Sequence, residues 1–171
     1  MDTRRMHCLS LIGMPGVGKS TVGVLLAKAL SMGFVDTDVL IQERELKGLP
    51  QLLAEHGADG FLALEESYVL HMNPTGKIVA TGGSVVYSSR AMLHLKATGP
   101  VIHMELPLHE LRHRLGNLVL RGVVHGPGQD LEGLYAERLP LYRKYADIEV
   151  HCSGMNHEDV MRAILERTGH L

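Results

Sequence analysis

One run of residues, Gly13-Met14-Pro15-Gly16-Val17-Gly18-Lys19-Ser20, constrains this chain more than any other. Its glycines, lysine and serine stand at the spacing that curls a backbone around a phosphate group. The apolar segment 7–12 leads into it and reads as a buried strand. Segment 21–30 leads away and reads as a helix. Strand, loop and helix in that order make the pattern specific, since a bare glycine-rich turn has no reason to sit between them. Glycines let several backbone N–H groups face one anion, and the helix start adds its partial positive charge. Gly13, Gly16, Val17, Gly18 and Thr21 are then expected to cradle a nucleoside triphosphate. Lys19 would reach the β- and γ-phosphates and the Ser20 hydroxyl would ligate Mg²⁺.

At 171 residues the chain is expected to form one domain, spanning 1–171. A net charge of −2 gives no electrostatic case for a nucleic-acid partner. No run approaches the roughly 18 apolar residues of a membrane span, and no signal-peptide pattern opens the sequence, so a cytoplasmic protein is expected. The two cysteines, Cys8 and Cys152, lie in apolar strand-like stretches without metal spacing and read as buried free thiols. Of eleven histidines, only His109 and His113 stand four apart on a helix-like stretch. Without a carboxylate partner that pair is a weak metal signal, and surface histidine is the expectation for the set. The nine methionines read as core filler.

Short apolar runs alternate with longer patterned ones along the whole chain. Strands are expected at Gly33–Asp36, Lys77–Ala80, Val101–Glu105 and Ile148–His151. Helices are expected over 39–46, 50–56, 61–72, 89–96, 107–114, 131–145 and 158–167. That alternation implies an α/β fold, a parallel sheet with helices on both faces. Ligands in such sheets sit beyond the carboxyl ends of the strands, where the phosphate loop, Asp36, Gly82 and Gly83 all fall. Asp36 and Asp38, two apart at a strand end, are expected to project to one side, as a metal-dependent phosphotransferase requires of its carboxylates. Segment 118–130 is rich in glycine, holds Arg121, and reads as a mobile loop or lid.

Taken in order, GMPGVGKST, FVDTDVLIQE, FLALEE, ATGGSVV, Arg121 and ERLPLYRKYAD resemble the shikimate kinase family nearly end to end. The resemblance implies a three-layer P-loop kinase fold, with a five-stranded parallel sheet in the order 2-3-1-4-5 and a mobile lid at about 118–130. It implies ATP and Mg²⁺. It assigns Asp36 to Mg²⁺, Asp38 to the acceptor hydroxyl, Gly82 and Gly83 to backbone contacts with the acceptor, and Arg121 to the transferring phosphoryl group. Arg114 falls where the family stacks an arginine on adenine, and Arg138 where it holds the acceptor carboxylate. Read without the family, Arg114 and Arg138 are ordinary exposed helix residues.

The chain departs from that pattern on the acceptor side. The family's second carboxylate clamp, an arginine directly after the phenylalanine, is Leu62, and the third glycine of its triplet is Ser84. Losing a charged, fork-shaped partner costs about 1.5–3 kcal/mol of carboxylate binding. The expected reading is therefore ATP-dependent phosphorylation of a changed acceptor, a small anionic or zwitterionic hydroxy compound such as homoserine, by a monomer. Shikimate itself is the alternative, with Arg143 or Lys144 compensating for Leu62. A catalytically silent nucleotide-binding regulator is the third.

Overall fold

The computed structural model describes residues 8–115 and 123–169. Arg121 and the first part of the expected lid lie outside the described residues. The architecture is a five-stranded parallel sheet in the order β2-β3-β1-β4-β5, as the resemblance implied. Its strands are β1 (Cys8–Ile12), β2 (Gly33–Asp36), β3 (Lys77–Ala80), β4 (Val101–Glu105) and β5 (Ile148–His151). The helices are α1 (Lys19–Leu30), α2 (Thr37–Glu45), α3 (Leu49–His71), α4 (Ser89–Thr98), α5 (Leu108–Leu115), α6 (Leu131–Tyr145) and α7 (His157–Arg167). None of the described helices is long and apolar enough to cross a membrane.

Central strand β1 is buried along its whole length between β3 and β4, in register from Leu9 opposite Ile78 to Leu11 opposite Ile102. Such two-sided burial selects a continuous apolar run rather than an alternating one. Val22 and Leu26 of α1, Met92 and Leu95 of α4, Tyr142 of α6 and Ile164 of α7 complete the main core. A second apolar cluster, Ile41, Leu52, Phe61 and Val124, lies between α2, α3 and the segment before α6, with Leu62 packed against it. Both cysteines are buried and unbridged, as expected. Met14, Met92 and Met104 are core residues, whereas Met155 is exposed, so the core-filler expectation holds for only part of the methionines.

The stretches 50–56 and 61–72 are two helical segments, as expected, within α3, which breaks at Gly57, whose φ of 67° leaves the helical region. Two local expectations are corrected. Asp38 is not on an extended strand end: the chain turns into α2 at Thr37, because the Asp36 carboxylate caps that helix by accepting from the N–H groups of Asp38 and Val39. The surface-histidine expectation fails at His103, 1% exposed on β4, while His109 and His113 are exposed as expected.

The edge of the core is tied by Asp147, at the start of β5. Its backbone N–H donates to the Val101 carbonyl at 2.8 Å, and its carboxylate accepts from the Val101 N–H at 2.9 Å and from Lys96 Nζ at 2.5 Å. Asp147→Ala should lower unfolding stability by about 1–3 kcal/mol, because it strands the N–H of a buried strand residue. Asp147→Asn, which keeps an acceptor oxygen, should recover most of that loss. Urea unfolding midpoints of the two variants check the order.

Candidate active site

The turn after β1 brings Gly13 so close to β4 that a Cβ there would stand 2.5 Å from the Met104 carbonyl oxygen, and its φ of 146° is one that glycine alone adopts comfortably. The loop then climbs to Gly18, which starts α1 in the left-handed region with no side-chain cap. The first N–H groups of α1 are thus left facing the cavity, ready for an anion. Lys19, 8% exposed, folds back so that Nζ donates to the carbonyls of Gly13 (2.7 Å) and Met14 (2.9 Å). Burial lowers its pKa to about 8, opposed by the charges of Asp38 and Asp36. Ser20 Oγ donates to Asp36 Oδ2 at 2.5 Å. A hydroxyl and a carboxylate meeting beside the phosphate loop are hard oxygen donors of the kind Mg²⁺ takes, so these two residues fit that ion.

A cavity of about 740 Å³ opens over the carboxyl ends of the strands. Gly16, Gly18, Lys19, Ser20 and Thr21 form its phosphate side, and Asp38, Gly83, Ser84 and Arg138 its far wall. Arg114 lines it as well and donates to the Val17 carbonyl at 3.3 Å, placing a guanidinium beside the loop although the residue is otherwise exposed. Gly13, Val17, Asp36 and Gly82 stand behind this lining and shape it.

The far wall holds most of the buried charge. Arg138, expected on residues alone to be exposed, is fully buried. Its Nε donates to the Tyr87 hydroxyl at 3.3 Å, one terminal nitrogen donates to the Val124 carbonyl, and the guanidinium lies 5.2 Å from the centre of the Tyr87 ring. Its Nη1 has no hydrogen-bond partner among the described residues and points to Gly83. Burial raises the Asp38 pKa, and the Asp36 charge adds to that.

Sequence reasoning missed Glu65, which sits 2% exposed on α3. Its Oε2 accepts from Ser84 Oγ at 2.7 Å, while its Oε1 has no hydrogen-bond partner among the described residues. A Cβ on Gly82 would fall 2.4 Å from Glu65 Oε1 and 2.6 Å from Asp38 Oδ1, so Gly82 is the spacer between two carboxylates. Burial pushes the Glu65 carboxyl up to about 7, against the Ser84 hydrogen bond. The signal was available: buried Phe61, Glu65 and Val69 recur every four residues along one helix stripe, and an acid on an apolar stripe calls for a reason. Met155, Asn156 and His157 were missed too, and they line the nucleotide end of the cavity with the His157 ring against Gly18. No sequence pattern marks them.

Leu62 does not line the cavity; it is half-buried against the second apolar cluster. The two proposed compensators are also elsewhere. Arg143 binds Glu105 and Glu149, and Lys144 lies over the Tyr145 ring. Among the described residues, Arg138 is the one cation on the far wall.

Comparison with known proteins gives one consistent answer. The family model described as shikimate kinase matches residues 15–168. A shikimate kinase of Mycobacterium avium is 36% identical over 160 residues, which cover 92% of this chain and 90% of that protein. One from Halorhodospira halophila is 35% identical over 161 residues, 91% and 90% of the two chains. Among solved structures, a shikimate kinase from Acinetobacter baumannii in complex with shikimate superposes with a TM-score of 0.88 at 26% identity, covering 95% of this chain and 93% of that one. A gluconokinase from Sinorhizobium meliloti, at 17% identity and a TM-score of 0.59, shares the fold.

The buried Glu65 carboxyl carries a pH signature. It keeps its proton up to about 7 in the folded protein, whereas an ordinary glutamate loses it near 4.5. Between those values the folded state binds more protons than the unfolded one, so this residue's contribution to stability falls as pH rises through that window. Glu65→Gln, neutral throughout, should gain stability relative to the parent chain across the window and hold a constant advantage above it. Urea unfolding of both proteins from about pH 4.5 to pH 8 measures the gap; a pH-independent gap would contradict the assignment.

Proposed function

Because this chain belongs to the shikimate kinase family and is a small-molecule phosphotransferase, we propose that it transfers the γ-phosphoryl group of ATP to a hydroxyl of a small zwitterionic metabolite, a hydroxy amino acid such as homoserine. The observation that carries this reading is the charge of the acceptor wall. Arg138 offers one unpartnered guanidinium nitrogen, enough to orient one carboxylate. Where the family has a second arginine, Leu62 faces apolar neighbours. Asp38 and, behind Ser84, Glu65 make the rest of that wall acidic. A wall with one cation beside the Asp38 carboxyl, and a second carboxyl behind it, favours a ligand that carries its own positive charge over a plain anion.

The roles of the other residues follow from their positions. Lys19 exchanges its carbonyl contacts for the phosphates, and the uncapped start of α1 holds them in line. Ser20 and Asp36 would hold Mg²⁺, which when bound supplies positive charge to the phosphates. Asp38 lies within the acid-rich wall and orients the acceptor hydroxyl, accepting its proton as the bond to phosphorus forms. Arg114 and His157 flank the nucleotide end and steady the base.

Shikimate is the second reading, favoured by the relatives of that name and by the superposition on a shikimate-bound structure. ADP release with ATP, Mg²⁺ and each acceptor offered separately decides between them. The hydroxy amino acid should show a kcat/KM at least about tenfold above that of shikimate, the scale of one lost charged hydrogen bond. The reverse order would establish shikimate as the acceptor. Leu62→Arg should lower KM for shikimate by a similar factor, with little change in kcat. Lys19→Ala should lower kcat by about two or more orders of magnitude with every acceptor, and near-normal turnover would remove Lys19 from the chemistry.

A further inference from the structure

Strands β4 and β5 carry a second group of polar side chains, none of which lines the cavity. The parallel register sets His103 opposite Glu149 and Glu105 opposite His151. Residues two apart on a strand share a face, so the four side chains form a square of alternating imidazole and carboxylate. His103 is buried beneath Tyr142, its ring stacked at 5.1 Å and 22°. Its Nδ1 has no hydrogen-bond partner among the described residues and points toward Glu149 Oε1, 3.9 Å away. Glu105 Oε2 is likewise buried without a hydrogen bond among them, with His151 Nδ1 at 3.1 Å.

A buried ring nitrogen with no partner is unusual, since burial of an unpaired polar atom is unfavourable by about 1–3 kcal/mol. Two neighbouring carboxylates add repulsion, and Arg143 meets that in part, reaching Glu105 at 3.2 Å and Glu149 at 3.4 Å. Its guanidinium is spent on the two acids and makes no hydrogen bond to the His103 ring nitrogen. A divalent cation would satisfy the imidazole and both acids at once.

We propose that His103, Glu105 and Glu149 form a binding site for a divalent transition-metal ion of the Zn²⁺ class, with solvent completing the coordination. The ligand atoms of the three lie within 4.8 Å of one another. The 3.9 Å between His103 Nδ1 and Glu149 Oε1 is within about half an ångström of the ~3.4 Å between donors of a tetrahedral site with bonds of about 2.0–2.1 Å. An imidazole with two carboxylates selects Zn²⁺ or its borderline neighbours over Mg²⁺ or Ca²⁺. Arg143, half exposed, is the competing cation and turns out to solvent when the ion enters. The site also touches the acceptor wall through one residue: Tyr142, stacked on His103, donates its hydroxyl to the Gly83 carbonyl at 2.7 Å.

The test uses Co²⁺ as a visible probe on chelator-treated, nucleotide-free protein. One equivalent should give the intense d–d absorption of a tetrahedral site, and Zn²⁺ should abolish it. Glu149→Gln and His103→Gln should each weaken Co²⁺ binding at least about tenfold. Arg143→Gln should tighten it several-fold, because it removes the competing charge. A His109→Ala, His113→Ala double variant, which alters the exposed pair on α5, should leave the spectrum unchanged. Thermal melts without metal establish that each variant is folded, and Arg143→Gln and Glu149→Gln carry the test if His103→Gln is not. Absence of the band at one equivalent, its survival in Glu149→Gln, or its loss in the α5 double variant would overturn the assignment.

Discussion

Four ionisable groups meet around one cavity, Lys19, Glu65 and Arg138 buried and Asp38 half-buried, and they must balance one another's charge. Each would be strongly unfavourable alone in a low-dielectric interior. They come from four different helices, α1, α2, α3 and α6, and meet only because parallel crossovers deliver those helices to the cavity rim. The backbone supplies the rest of the compensation. Gly13 and Met14 carbonyls hold Lys19, and the Val124 carbonyl holds Arg138. Rigid packing beneath, through Tyr142 and the Gly83 carbonyl, keeps the wall in place.

Within that balance the two departures from the family pattern are linked. Leu62 removes a positive charge from the turn of α3 that bears Glu65, and Ser84 places a hydroxyl where it can donate to the same carboxylate. A neutral donor stabilises an acid less than a guanidinium does, and burial, only partly opposed by the Ser84 hydrogen bond, pushes the Glu65 carboxyl up to about 7. The substitution at 84 thus turns inward, against α3, rather than into the ligand space.

The β4–β5 group shows the same physics in a different setting. Strand alternation and an in-register parallel pair are enough to assemble two imidazoles and two carboxylates without any loop. Arg143 is drawn there by two acids, and this is why it cannot serve the acceptor wall, where the sequence made it a candidate.

The sequence by itself determined the sheet, the phosphate loop and the order of the elements, because these rest on local patterns. Buried strands are short apolar runs, and four of the five have the bounds read from the sequence. The loop is legible because glycine, lysine and serine must stand at fixed spacing along one turn. Tertiary structure alone decided the environments. Arg138 resembles any helix-surface arginine until α6 turns it beneath Val124 and Tyr87. Asp38 belongs to a helix rather than a strand end because the Asp36 side chain caps the chain at that point. Glu65 gains its character from burial beside Gly82 and Ser84, and His103 from a partner strand and a tyrosine far along the chain. Hydrogen bonding and desolvation between residues distant in sequence have no local signature, so charge state and accessibility were settled only when the elements packed.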